Sequence, residues 1–139
     1  MLKVEYGSHI IKGQFLSKSD VYNTPTITLH SLDDKNKMYT LLMIDPDAPN
    51  PEYLHWLIVN ISKDKNNILI PYAPPTPPSG IHRYVFYLYE QEHEFVNCPL
   101  QTCSHETRAG FNTNTFTKNN KLKFISSVYF KVKKSYLYR

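Results

Sequence analysis

Five residues able to hold a proton or an anion stand at the ends of apolar runs: Asp45 and Asp47 in Asp45-Pro46-Asp47-Ala48-Pro49, His55 in Tyr53-Leu54-His55-Trp56, and His82 and Tyr84 in Ile81-His82-Arg83-Tyr84. Proline after Asp45 holds that residue extended and ends a strand ladder, which places both carboxylates at a strand end. The same motif also suits an Asx-type turn, in which the carboxylates cap backbone N–H groups. Strand alternation puts His55 on one face with Leu57 and Val59, and Leu54, Trp56 and Ile58 on the other. A lone histidine in such a run also fits a hydrogen-bonded core residue. His82, Tyr84, Phe86 and Leu88 share the next face, a polar pair above an apolar floor, which describes a shallow pocket. Arg83 points the other way, suited to a structural ion pair or to loop carbonyls. Upstream, Pro71–Pro78 stiffens a loop and Gly80 frees the backbone for a turn into the strand.

The remaining reactive residues are less patterned. Cys98 and Cys103 have four residues between them, and the leading segment MLKVEYGSHIIKG has no apolar stretch of signal-peptide length. Reduced thiols and a cytoplasmic location are therefore expected. A zinc site using this pair with His93 or His105 is a poor match to standard ligand spacings. Asn60-Ile61-Ser62 lies in an apolar run, so glycosylation there is not expected. From Lys118 to Arg139 there are seven basic residues and no acidic one, and this segment supplies all of the net charge of +4. Such an end suits nucleic acid or an acidic surface. It equally suits an outward strand face, because Lys131 and Lys133 alternate with Phe130 and Val132. The excess of 13 Lys over 3 Arg, with 11 Asn, points to an AT-rich genome such as that of a large DNA virus, the location then being host cytoplasm.

The elements that must position these groups are strands. With 139 residues the chain fits one domain, residues 1–139, and its 11 Tyr, 7 Phe and 10 Pro favour β structure over helix. Strands are predicted at Ile10–Leu16, Thr26–His30, Lys37–Ile44, Leu54–Ser62, Arg83–Tyr89 and Leu122–Val132. Turns are predicted at Asn23–Pro25, Asp33–Asn36, Asp64–Asn67 and Pro71–Pro78. Several runs are almost continuously apolar, as strands buried on both faces are. Only Asn114–Asn119 suits a short helical turn. The predicted fold is an all-β, two-layer antiparallel sandwich with at most one or two short helices. No apolar run is long enough to span a bilayer, so no stable membrane insertion is expected.

Taken in order, DPDAP, YLHWLIVNI and Y-x-x-P-x-P-P-x-G-IHRYVFYLYEQ resemble the signature of the phosphatidylethanolamine-binding protein family. Gly110–Phe116 followed by LKFISSVYF is similar to the family's closing region, and the resemblance spans about residues 25 to 132. The wording is nearer to plant flowering regulators and bacterial members than to the mammalian kinase-inhibitor protein. The resemblance implies a ligand pocket from Asp45, Asp47, His55, His82 and Tyr84, with Pro78 and Gly80 at its rim. It also implies an anionic small molecule or phospholipid headgroup as ligand, an unidentified protein partner in a kinase or protease pathway, no cofactor and no catalysis. The chain departs from the family in the short Asn50-Pro51-Glu52 segment, in Ile125 where proline is common, in its short N-terminal portion, and in ending soon after the last strand. The C-terminal helix of mammalian members is thus expected to be absent.

In such a pocket the histidines and Tyr84 would donate to a phosphate, Asp45 would orient a histidine, and Asp47 would fasten the loop. A hydrolase needs an activated nucleophile, and no Ser, Thr or Cys has a motif pairing it with a base. A metal-dependent hydrolase built on His55, His82 and Asp45 is the enzymatic alternative. Binding of nucleic acid or an acidic surface through the basic C-terminal segment is the other, though the chain carries no known nucleic-acid motif, so no nucleic acid is expected.

Overall fold

Leu2, Val4 and Tyr6 alternate with Lys3 and Glu5, and this stretch is the first strand, β1 (Leu2–Tyr6), buried at every second residue. The computed structural model describes residues 1–30, 36–100 and 108–134. β1 pairs antiparallel with β2 (His9–Ile10) and β3 (Thr26–Leu29), giving a three-stranded sheet in the order β2-β1-β3. The larger sheet contains β4 (Tyr39–Asp45), β5 (Tyr53–Ile61), β6 (Asn67–Ile70), β7 (Ile81–Glu90) and β8 (Lys123–Lys133). Its order is β6-β5-β4-β7-β8, with every pairing antiparallel. One helix is present among the described residues, α1 (Thr113–Asn119), with Asn112 accepting from the Thr115 amide as its N-cap.

All seven residues of β4 are buried. Leu41 and Met43 join Val4, Tyr6, Phe86 and Phe130 in the core between the sheets, while Leu42 and Ile44 join Val59 and Phe116 on the opposite face. The continuous apolar run is thus a strand covered by a second sheet on one side and by α1 with its flanking loops on the other. The β-rich sandwich expected from the sequence is the fold observed.

Two local expectations change. Of Ile10–Leu16, only Ile10 lies in a strand. Gly13, at φ +90, turns the chain, and residues 13–16 run beside β8, with Gly13 N donating to Tyr129 O (2.7 Å), Leu16 N to Lys131 O (2.9 Å) and Lys131 N to Gln14 O (2.9 Å). β1 and β6 were not predicted, being five and four residues long and too short for a clear period. Asp33–Lys35 of the predicted turn lie outside the described residues.

The register of β5 decides which way His55 faces. Met43 opposes Trp56, but the next residue, Ile44, opposes Leu54, so β5 carries an extra residue at His55. The bulge resets the alternation. Leu54 falls in the cluster of Leu57 and Val59, while Trp56 and Ile58 face the inter-sheet core. His55 contacts Tyr84, itself in the inter-sheet cluster, and so lies on the side of Trp56, not with Leu57 and Val59 as strict alternation predicted.

Candidate functional site

β4 ends on Asp45, and His82, the second residue of β7, lies on the same inward face. Their side chains meet, His82 Nδ1 lying 2.7 Å from Asp45 Oδ2, with both residues buried. The other carboxylate oxygen of Asp45 accepts from the Asp47 amide at 2.8 Å. The Asx turn and the orientation of a histidine are therefore done by one carboxylate. Tyr84, two residues along β7, is stacked beside His82 with ring centroids 6.5 Å apart. Its other neighbour is His55, edge-on at 5.2 Å. Burial, reinforced by the charges of Asp45 and Asp47 and by a side-chain hydrogen bond to Asp45, pushes the Tyr84 phenol far above its ordinary range, so it stays protonated.

His55 is held from behind. Its Nδ1 lies 2.6 Å from the Ala73 carbonyl, and the Ala73 amide donates back to the His55 carbonyl at 2.9 Å. Arg108 braces the same place, donating to the carbonyls of Leu54 (3.1 Å), His55 (2.9 Å) and Pro71 (2.7 Å). Burial pulls the His55 pKa below its ordinary value, and Arg108 and His82 add to this, against the opposing effects of the Ala73 carbonyl and Asp45. Tyr53 stacks at a tilt on the His55 ring, 4.9 Å away. Sequence reasoning missed Ala73, Arg108 and Tyr53 in these roles. Arg108 lies in a stretch without periodicity, and no spacing marks it.

The structure thus brings Asp45, His55, His82 and Tyr84 together. Asp47 sits apart, because its carboxylate is occupied by Arg83: Oδ2 accepts from the Arg83 amide (2.9 Å) and Nε (3.0 Å), and Oδ1 from Nη2 (2.9 Å). Arg83 has the structural ion pair that its outward face suggested. Pro78 and Gly80 are exposed in the loop entering β7, where Gly80 turns at φ +62 and its carbonyl accepts from the Lys134 amide at 2.8 Å.

His82 and Asp45 form a dyad without a nucleophile, since His82 Nε2 has no hydroxyl or thiol partner among the described residues. Among those residues no group of three His, Cys, Asp or Glu is arranged to hold a metal. Cys98 is disulfide-bonded, contrary to the expectation of reduced thiols, and so offers no thiolate to zinc. Cys98 is exposed in the loop that follows β7, where no core packing shields its sulfur. Cys103 and His105 lie outside the described residues. The Asn60 amide is buried and donates to Asn67 Oδ1 and Phe95 O, unsuited to carry a glycan. Along β8, Phe130 and Val132 are buried and Lys133 is exposed, as the outward-face reading of the basic segment required. No described helix is long and apolar enough to cross a membrane.

Comparison with known proteins bears on this arrangement. The family model described as phosphatidylethanolamine-binding protein matches residues 3–131. Protein MOTHER of FT and TFL1 homolog 2 of Oryza sativa is 37% identical over 127 residues, covering 84% of this chain and 71% of the rice protein. Protein CENTRORADIALIS of Antirrhinum majus is 34% identical over 135 residues, covering 88% and 72% of the two chains. The phosphatidylethanolamine-binding protein from Plasmodium vivax superposes with a TM-score of 0.81 at 20% identity, over 96% of this chain and 85% of that one, a likeness of fold. These relatives lend the suggested viral source no support.

Proposed function

Since the chain belongs to the phosphatidylethanolamine-binding protein family and is no enzyme, we propose that it is a regulator that binds an anionic small molecule or phosphorylethanolamine-type headgroup and acts through contacts with a protein partner. The observation that carries the pocket is the buried His82–Asp45 pair at 2.7 Å, with Tyr84 and His55 beside it. Asp45 orients the imidazole, Tyr84 supplies a hydroxyl donor, and each histidine gains a second N–H donor when protonated. Pro78 and Gly80 form the rim. The partner belongs to a kinase or protease signalling pathway, as the family resemblance suggests.

The test is a titration with phosphorylethanolamine followed by NMR. Shifts are expected at His55, His82 and Tyr84, and His82→Ala should weaken binding by about 1–3 kcal/mol, the range for a lost charged hydrogen bond. His93→Ala should bind as wild type, because His93 is exposed in a loop and bonded to the Glu94 carbonyl. An anion beside imidazole favours imidazolium, so binding takes up a proton and sulfate, whose charge is constant, should bind more tightly on the acid side of roughly pH 5.5–8. Sulfate affinity that is flat across that window, or full affinity in His82→Ala, would rule out the histidine mechanism.

A further inference from the structure

β8 is the last strand of the five-stranded sheet, and only part of its outer edge is covered. Residues 13–16 run beside it as a parallel fragment, with Gly13 N donating to Tyr129 O, Leu16 N to Lys131 O and Lys131 N to Gln14 O. At Gly13, φ +90, the chain leaves this edge, and Ile11 N bonds to Val4 O instead. Tyr129 and Lys131 turn backbone groups outward, so the two-residue repeat of the strand turns those of Ser127 outward as well. Among the described residues no backbone bond meets the Ser127 amide or carbonyl, or the Tyr129 amide, on that side. Ser127 is exposed, and Phe124 and Tyr129, at the two ends of the gap, are 54% and 42% exposed. The gap is a bare strand edge, closed at one end by Gly13 and flanked by two aromatic rings.

Charge says what can fill it. Natural edges are commonly blunted by a lysine within the pairing stretch, yet residues 124–129, FISSVY, carry no charge. The lysines stand at the ends instead, Lys121 and Lys123 before the stretch and Lys131 and Lys133 after it, with no acidic residue in 118–139. None of the four pairs with a carboxylate among the described residues. Glu90, opposite Lys123 on β7, is taken by Lys37 at 3.3 Å, and Lys131 lies over the Phe15 ring at 4.3 Å. A second copy of the same edge is a poor occupant. With Ser127 on the two-fold axis of an antiparallel pair, Lys123 would oppose Lys131 and Lys121 would oppose Lys133, like charges facing directly.

We propose that the edge of β8 at residues 124–129 docks an extended segment of a partner protein as an added strand, one with a short uncharged β-branched centre and acidic residues at both ends. Main-chain bonds to Ser127 and Tyr129 set its register, and Phe124 and Tyr129 give it apolar contact. The lysines at either end select the acidic flanks and reject basic ones. Single-stranded nucleic acid suits the place less well, because a phosphate chain cannot continue the ladder. Carboxylates also border the adjoining sheet face, Asp47 clasping Arg83 there and Glu52 acting on Tyr87 and Tyr89. This surface gives the protein partner of the proposed function its place and chemistry, and rests on that reading, while the anion pocket takes no part in it.

The probe is the peptide acetyl-EDVTVDE-amide, with acetyl-KKVTVKK-amide as its charge-reversed control, each titrated into the whole chain and followed by amide NMR. Shifts and slowed hydrogen exchange are expected at Ser127 and Tyr129. The acidic peptide should bind about tenfold more tightly than the basic one, a gap that narrows as salt rises from about 0.05 to 0.5 M. Ser127→Pro removes the outward N–H where an edge strand tolerates proline, and should weaken binding about tenfold. Lys123→Glu combined with Lys133→Glu leaves the backbone edge intact and should reverse the preference between the peptides, so the test does not hang on the proline variant folding. Phosphorylethanolamine titrated into the same sample reports on the pocket separately. Shifts at His82 with that probe, and none at Ser127 with either peptide, would overturn the docking edge and leave the pocket standing. Shifts at Ser127 with the acidic peptide and none at His82 with phosphorylethanolamine would support the edge and overturn the pocket. Equal affinity of the two peptides would overturn the acidic partner. Tighter binding of oligothymidylate at the same residues would assign the edge to nucleic acid, and a peptide-free dimer that protects the Ser127 amide would assign it to a second copy. Either result overturns the proposal.

Discussion

Asp45 and Asp47 are two residues apart in one motif, and the backbone gives them different tasks. Asp45 is the last residue of β4 and points inward to His82, whereas Asp47 lies beyond Pro46 and clasps Arg83 on the outside. The Asp47 side chain is 30% exposed and that of Arg83 54%, so solvent screens the pair and its contribution should stay below about 1 kcal/mol. The Arg83 guanidinium holds the Asp47 carboxyl below its ordinary range. A depressed pKa gives stability that is present above the unfolded value of about 3.9 and lost as pH falls through the folded one. Asp47→Asn should therefore lower the denaturation midpoint slightly at neutral pH and match wild type in strong acid. A deficit that persists unchanged below about pH 2 would mean that the loss is packing and not charge. Both aspartates were legible because proline fixed the end of their strand. Arg108 and Ala73 were not, since their roles run through backbone carbonyls that any residue could present.

Strand existence was readable where apolar runs were long, at β4, β5 and β7, and unreadable where pairing partners alone define the strand, at β1 and β6. The face of His55 was misread for a related reason. Alternation carries no mark of an extra residue, and the bulge at His55 is set by how β5 meets β4. A second irregularity lies between Tyr39 and Leu41, and there Asn60 adopts φ +55. A buried polar network accompanies it. Gln91 Oε1 accepts from Thr40 Oγ1 (2.8 Å) and the Asn60 amide (2.8 Å), while Nε2 donates to Asn60 Oδ1 (2.9 Å) and His93 O (3.0 Å). The network ties β4, β5 and the end of β7 together where regular pairing lapses. Gln91→Ala leaves the Thr40 hydroxyl and the Asn60 amide buried without this acceptor, at about 1–3 kcal/mol for each. A loss of roughly 3 kcal/mol in urea unfolding is expected, and a midpoint within error of wild type would show that water replaces the glutamine without cost.

For the whole molecule, the two sheets are joined through tyrosines, and that has a consequence at alkaline pH. Tyr6 on β1 donates to the Tyr72 hydroxyl (2.7 Å), which donates to the Val21 carbonyl (2.7 Å), linking the small sheet, the proline loop and the segment before β3. Burial pushes Tyr6, Tyr72 and Tyr84 far above the ordinary phenol value and Tyr89 up to about 12. Below about pH 10 these phenols are protonated in both folded and unfolded chains and add no pH dependence. Above it the unfolded chain releases protons that the native state retains, so stability falls as pH climbs from the unfolded value towards the folded one. Each such tyrosine contributes about 1.4 kcal/mol per pH unit, and four together roughly 5.6. A domain stable by about 5–15 kcal/mol should then unfold cooperatively about one to three pH units above 10. Tyrosinate absorbance should rise in two stages, the buried group ionising only as circular dichroism is lost. Tyr6→Phe should lower the steepness of stability against pH by one proton's worth. If all 11 tyrosines ionise in one gradual step while the dichroism of the native sheets persists, the phenols are not sealed in the core.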